Sequence, residues 1–233
     1  MDKSQYHKVK KYYDAYGKRY DDERVEGYYE FINDIEIETV QQYGTGAHML
    51  EIGCGTGILL ARVAKFAKKA QGVDLSDGML EEARKKGLQV TQANATKLPF
   101  PKESFDVVYS FKVLPHIPEI EKVIKEVYRV LNPGGTAILE FYNPTSFKAL
   151  TNKLQGARNK VYLRFDSSRK IKQLLGGSFY VIETRGVKVL PFSGLLTRPR
   201  TGAKIVKAFE KRVSRSPLKA FAGYYIVVAR KDY

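Results

Sequence analysis

Three glycines at alternate positions, Gly53, Gly55 and Gly57, follow the short run Met49–Ile52 and precede the helix-forming stretch Ile58–Ala64. Strand, glycine loop and helix is an arrangement that turns backbone N–H groups and a helix N-terminus toward a polar ligand. Glycine lets that backbone come close, because no Cβ stands in the way. The spacing is G-x-G-x-G, whereas a dinucleotide fingerprint sets its third glycine three positions after its second. Glu51 lies two places before the first glycine, where a carboxylate suits a cationic ligand better than a pyrophosphate. Asp74 falls at the end of a second short strand, Ala70–Leu75, the edge at which open parallel sheets bind ligands. A carboxylate there can accept both hydroxyls of a ribose in charge-assisted hydrogen bonds. Cys54 is the one cysteine, and with three histidines it makes no ligand spacing, so no metal is expected.

The elements that must position these residues alternate along the chain. After the glycine-loop helix and the strand ending at Asp74, Ser76 or Asp77 caps a helix over Gly78–Lys86. Leu88–Gln92 and Phe105–Ser110 read as the third and fourth strands, and Glu119–Leu131 as an amphipathic helix. Residues 132–135, Asn-Pro-Gly-Gly, turn the chain into an apolar fifth strand, Thr136–Phe141. Five strands alternating with helices imply a parallel sheet with right-handed crossovers. Residues 1–45 read as two helices, the first with Tyr12, Tyr16 and Tyr20 four apart on one face. Beyond residue 143 the pattern loosens, with a sixth strand over Phe179–Leu190 and a last one over Ala222–Arg230. Between them a helix sets Lys204, Lys207, Lys211 and Arg215 on one side and Ile205, Phe209 and Val213 opposite.

Composition bounds the class. A chain of 233 residues, 43% hydrophobic and 28% charged, is long enough for one domain with a substantial core. It carries no run of eighteen apolar residues and no signal-peptide pattern, and a lone cysteine excludes an internal disulfide, so the expected compartment is the cytoplasm. The net charge of +15 is uneven: residues 141–233 hold 20 Lys and Arg against 4 Asp and Glu. Such asymmetry fits an anionic partner surface or a solvated basic face.

Taken in order, the G-C-G-T-G loop, the G-V-D-L-S-D-G-M-L run at 72–80, Asn94-Ala95, the V-L-P-H-I segment at 113–117 and the L-N-P-G-G turn at 131–135 resemble the class I S-adenosylmethionine-dependent methyltransferases. The likeness is to the subgroup of quinone, phospho-base and small-molecule enzymes, and it covers residues 47–143 well. It implies an α/β fold: a Rossmann-like seven-stranded sheet, mostly parallel, with an antiparallel last strand and helices on both faces. It implies an N-terminal helical lid at 1–45 and a methyltransferase domain at 46–233 with basic insertions at about 144–165 and 191–217. The implied cofactor is S-adenosyl-L-methionine, leaving as S-adenosyl-L-homocysteine. Its implied contacts are Tyr12 and Tyr20 from the lid, then Glu51, Gly53, Cys54, Gly55, Gly57, Asp74, Leu75, Met79, Asn94, Ala95, Ser110 and Phe111. Asn94 would meet the adenine amino group through its side-chain carbonyl. Phospho-base enzymes pair a histidine from this segment with a lid tyrosine, which makes His116 the candidate general base and Tyr20 its partner.

Three functions fit this pattern. The first is methyl transfer to a small or amphipathic acceptor such as a lipid or quinone, with the basic third set against an anionic membrane as a peripheral attachment. The second is an RNA methyltransferase tracking phosphates with that same third; the absence of an Asn-Pro-Pro-Tyr motif counts mildly against it. The third is a non-catalytic S-adenosylmethionine-binding module. Neither the acceptor atom nor the oligomeric state is written in the sequence.

Overall fold

Seven strands form one sheet in the order β3-β2-β1-β4-β5-β7-β6. The computed structural model describes residues 3–22, 24, 28–155, 162–189 and 200–232. Strands β1 (His48–Ile52), β2 (Lys69–Asp74), β3 (Val90–Gln92), β4 (Phe105–Ser110) and β5 (Leu131–Tyr142) pair in parallel. β7 (Tyr224–Lys231) runs antiparallel between β5 and β6 (Phe179–Val187). This is the expected sheet, with local differences in its bounds: β3 begins at Val90 rather than Leu88, and β6 ends at Val187. Residues 132–135, anticipated as a turn, and Leu131, anticipated as the end of the helix before it, belong to β5, and the extra length is absorbed by a register shift opposite Phe105 and Val107.

Period-two alternation divides the sheet into two faces. Leu50, Ile52, Val108, Ala137, Leu139 and Phe141 share one core with α5 (Ile120–Val130) and α7 (Ser168–Leu175). Met49, Val107, Tyr109, Ile138 and Tyr142 share the other with α2 (Tyr28–Gly44) and α3 (Ile58–Val63). α5 buries Ile120, Val123, Ile124, Val127 and Val130, one stripe at helical spacing. Each such side chain contributes about 1.5–3 kcal/mol relative to exposure.

The first helix lies across the edge of the sheet where β2 ends. α1 (Lys3–Tyr20) crosses α4 (Asp77–Lys85) so closely that a Cβ on Gly17 would stand 2.6 Å from the Gly78 carbonyl oxygen. Glycine at both positions is what permits that approach. Asp14 then accepts from Ser76 Oγ (2.7 Å) and the Gly78 N–H (3.2 Å), at the start of α4. Asp21 accepts from Thr56 Oγ1 and Lys86 Nζ. α1 is thereby tied to α4 at Asp14, and the residue that follows it, Asp21, ties it to the glycine loop and Lys86.

The C-terminal third adds α6 (Phe147–Gln155) and α8 (Arg200–Val213). In α8 the buried side is Val206, Glu210 and Val213, while Ile205 and Phe209 are exposed. Val213 therefore does not share the face of Ile205 and Phe209, as the sequence reading had it. Lys211 pairs with Glu38 of α2, and Arg215 with Glu183 of β6 at 2.7 Å. The side chains of Lys204 and Lys207 lie outside the described residues, as does the segment 190–199. No helix among the described residues is long and apolar enough to cross a membrane.

Candidate active site

The glycine loop is built by three different constraints. Gly53, Gly55 and Gly57 all have positive φ, a region costly for any residue with a Cβ. A Cβ at Gly53 would also strike Val113, and one at Gly57 would strike Leu88, whereas one at Gly55 would meet nothing within 4 Å. Gly55 is thus the point at which backbone faces open space. Its N–H donates to Asp74 Oδ2 (2.8 Å), and the Ser76 N–H donates to Asp74 Oδ1 (2.9 Å). Asp74 so clamps the loop to the end of β2, and burial raises its pKa.

The cleft above this loop, about 140 Å³, is lined by Tyr13 and Tyr20 of α1, Gly53, Gly55, Asp74, Leu75, Met79, Asn94, Ala95, Phe111, Lys112 and His116 among others. A side pocket continues from it past Glu51, Cys54, Arg24, Tyr29 and Asn33. Glu51 accepts from the Tyr109 hydroxyl (3.1 Å), and burial pushes its carboxyl well above the usual range. Burial likewise raises the Cys54 thiol, which makes it a poor nucleophile.

Lys112 joins α2 to the sheet. Its Nζ lies 2.6 and 2.7 Å from the two oxygens of Glu36 and 3.3 Å from Asn33 Oδ1, both on α2. Its N–H donates to Glu140 Oε1 of β5 (3.0 Å). The backbone adopts φ 61° there, a strained conformation held by the surrounding contacts. Burial, opposed by Lys112, raises the pKa of Glu36; burial and the nearby Glu36 push that of Glu140 up to about 8. The cluster therefore holds one settled ion pair and one carboxyl that is largely protonated near neutrality.

His116 stands on the short 3-10 turn Leu114–His116 beyond β4. Its Nδ1 lies 3.0 Å from the Tyr162 carbonyl oxygen. A carbonyl can only accept, so Nδ1 carries the proton and Nε2 is the ring's acceptor. Burial lowers the pKa of the imidazole, which keeps it neutral at pH 7.

Residues 50–139 match a family model described as a methyltransferase domain. An uncharacterized protein of Methanocaldococcus jannaschii is 30% identical over 96% of this chain and 90% of its own length. The chain belongs to the class I S-adenosylmethionine-dependent methyltransferases. The demethylmenaquinone methyltransferase of Lactococcus lactis is 38% identical over 121 residues, and the match spans 48% of that enzyme's length. A SAM-dependent methyltransferase of Thermotoga maritima shares the fold across 97% of this chain and all of its own, with TM-score 0.70 and 21% identity.

The cofactor of this methyltransferase is S-adenosylmethionine, and the cleft suits it. Bare backbone at Gly55, an acid at the end of β2 and the apolar wall of Leu75 and Met79 match a nucleoside carrying a cationic tail. Of the residues named from sequence, Tyr20, Gly53, Gly55, Asp74, Leu75, Met79, Asn94, Ala95, Phe111 and His116 line the cleft, and Glu51 and Cys54 line its side pocket. Three do not line either. Tyr12 is exposed and packs edge-on against Tyr13, and it is Tyr13 that faces the cleft. Ser110 is buried with its hydroxyl donating to the Ile52 carbonyl (2.9 Å). Gly57 is the N-cap of α3. Asn94 spends its side-chain carbonyl on the Thr96 N–H and hydroxyl, both at 2.9 Å, so that oxygen is not idle as the sequence reading required. Tyr20 and His116 share the cleft without a hydrogen bond between them.

Sequence reasoning passed over Lys112, Glu36 and Glu140. Their signal was present: Glu36 and Glu140 interrupt otherwise apolar runs, Ile35-Glu36-Ile37 and Ile138-Leu139-Glu140-Phe141. A charge inside a buried element needs a partner.

Proposed function

We propose that this methyltransferase moves a methyl group to a small or amphipathic acceptor, with residues 1–45 as its lid and His116 as general base. The observation that carries the reading is the tautomer of His116, fixed by Tyr162, which leaves Nε2 able to take a proton in the cleft. S-adenosylmethionine supplies a methyl group already activated on a sulfonium. The protein's own part is alignment and exclusion of water. Asp74 and the Gly55 backbone orient the ribose end, with Leu75, Met79 and Ala95 against the ring system. Glu51, raised by burial, regains its charge beside the cationic end of the ligand. Tyr13 and Tyr20 close the cleft from above.

The same proposal includes contact with an anionic membrane surface through the basic C-terminal third. Phe147 and Leu150 on α6 and Ile205 and Phe209 on α8 are exposed apolar side chains in a region rich in lysine and arginine, a composition suited to a lipid interface. The test is incubation with labelled cofactor and separate lipid, RNA and polar-metabolite extracts, beside sedimentation with anionic and neutral liposomes. Label entering the lipid or polar extract supports the reading. Label entering RNA alone would overturn it.

A further inference from the structure

Asp74 lines the cleft and Glu51 its side pocket, while Asp14 and Asp21 beside the glycine loop are paired with Lys10 and Lys86. Two nearby cations are held against tyrosine rings instead. Lys148 Nζ lies 4.3 Å from the centre of the Tyr142 ring and 5.1 Å from that of Tyr224, with the Tyr224 hydroxyl at 3.4 Å. The Arg24 guanidinium lies over Tyr20 at 4.9 Å and Tyr29 at 4.4 Å. Among the described residues neither cation has a carboxylate within ion-pair distance.

The carboxyls that might have served are otherwise engaged. Glu36 is held by Lys112, and Glu140, with its pKa pushed up to about 8 by burial, is mostly neutral at pH 7. Half-burying cations against tyrosine rings with no counter-charge is costly. The cost is visible in Lys148, whose pKa burial and the nearby Lys188 bring down to about 8. Tyr142 links this group to the cleft, since its ring stands edge-on to His116 with centroids 6.1 Å apart. Arg24 instead lines the side pocket together with Glu51.

We propose that the methyl acceptor carries an anionic group, a carboxylate or a phosphate, that Lys148 receives beside His116, with its apolar body against Tyr142 and Tyr224. This rests on the methyl-transfer reading and names the acceptor's chemical class. The acids at the glycine loop favour the cationic cofactor and Lys148 the anionic acceptor, so complementary charge orients both ligands. A charge-assisted contact to a half-buried cation supports roughly tenfold or more in affinity.

The test is calorimetry at pH 7 on the full chain saturated with S-adenosylhomocysteine, using benzoate, phenyl phosphate and neutral benzyl alcohol as probes. At least one anion is expected to bind about tenfold or more tighter than benzyl alcohol. The two anions distinguish a carboxylate from a phosphate site. Lys148→Met should abolish the preference and Lys148→Arg retain it, with S-adenosylhomocysteine affinity the same in all three proteins. Equal binding of neutral and anionic probes, no binding of either anion, or a preference that survives in Lys148→Met would each overturn the proposal. Failure of S-adenosylhomocysteine to bind the wild-type protein is a separate result, and it would overturn the methyl-transfer reading beneath it.

Discussion

Replacing Lys112 with Met should destabilise the protein in a way that depends on pH. Lys112 lies within 2.7 Å of both oxygens of Glu36; its side chain is 16% exposed and that of Glu36 is 0% exposed. Removing one member of such a pair leaves a buried charge without compensation, which costs about 3–5 kcal/mol. Met retains the Cβ, so the strain at positive φ is unchanged, and the backbone N–H still donates to Glu140. The variant can escape part of the cost by protonating Glu36. The pKa of Glu36 is already raised by burial, and loss of the cation raises it further. A carboxyl with a raised folded pKa binds its proton more tightly when folded. Its contribution to stability therefore falls as pH rises from the unfolded value of about 4.3 toward the folded one. The deficit of Lys112→Met relative to wild type should accordingly be smaller near pH 5 than near pH 8. For a domain of this length 3–5 kcal/mol corresponds to roughly 6–20 °C in Tm. Replacing both partners, as Lys112→Met/Glu36→Leu, removes the orphaned charge and should recover most of the loss, because apolar substitution of a whole buried pair is often neutral or better. Urea unfolding of wild type, single and double variants at the two pH values measures all of this. A single variant that loses less than about 1 kcal/mol at pH 8, a double variant no more stable than the single, or a deficit larger at pH 5 would refute the reasoning.

Three further outcomes test the cleft. Asp74→Ala should weaken S-adenosylmethionine and S-adenosylhomocysteine binding together, by on the order of 2–4 kcal/mol for two lost bonds to a charged group; unchanged calorimetric affinity in a folded variant would dismiss the ribose assignment. His116→Ala should lower turnover about 10²–10⁴-fold with S-adenosylhomocysteine affinity nearly intact. Because burial lowers the imidazole pKa and the base must be neutral, the acid limb of kcat/KM should lie below the ordinary value of about 6.5, and a limb above it would point to another group. Gly17→Val should lift α1 from α4, since its Cβ would press on the Gly78 carbonyl at 2.6 Å; cofactor affinity and amide protection of α1 should both fall, and no change in either would mean the lid does not close the site.

The sheet was legible because each strand and crossover helix is a local pattern. The G-x-G-x-G turn, the acid at the end of β2 and the stripe of α5 could be read from residue spacing alone. Boundaries were less so: β5 begins at Leu131, because the Pro-Gly-Gly stretch pairs across a register shift that no local signal marks. Tyr12 was chosen over Tyr13 because a spacing of four fixes which tyrosines share a face and leaves open which face meets the cleft. The Tyr162 carbonyl that sets the His116 tautomer could not be read at all, since a backbone acceptor 46 residues away leaves no mark on sequence.

The polar residues of the site nevertheless follow a rule that strand alternation contains. Glu51 shares its face of β1 with Met49, and Tyr109 its face of β4 with Val107. Glu140 and Tyr142 share that face of β5 with Ile138, and Tyr224 continues it in β7. All five therefore point to the one side of the sheet that α2 covers, while the opposite side packs α5 and α7 mostly with apolar residues, Ser110, Tyr225 and Lys231 being its polar members in these strands. A helix laid over ionisable groups must bring partners or water, and α2 brings Glu36 and Asn33 to meet Lys112. The lid-side face is thus less tightly committed to apolar packing than its opposite. The main cleft opens under α1 at the edge where β1 and β2 end, and its side pocket reaches α2 through Tyr29 and Asn33.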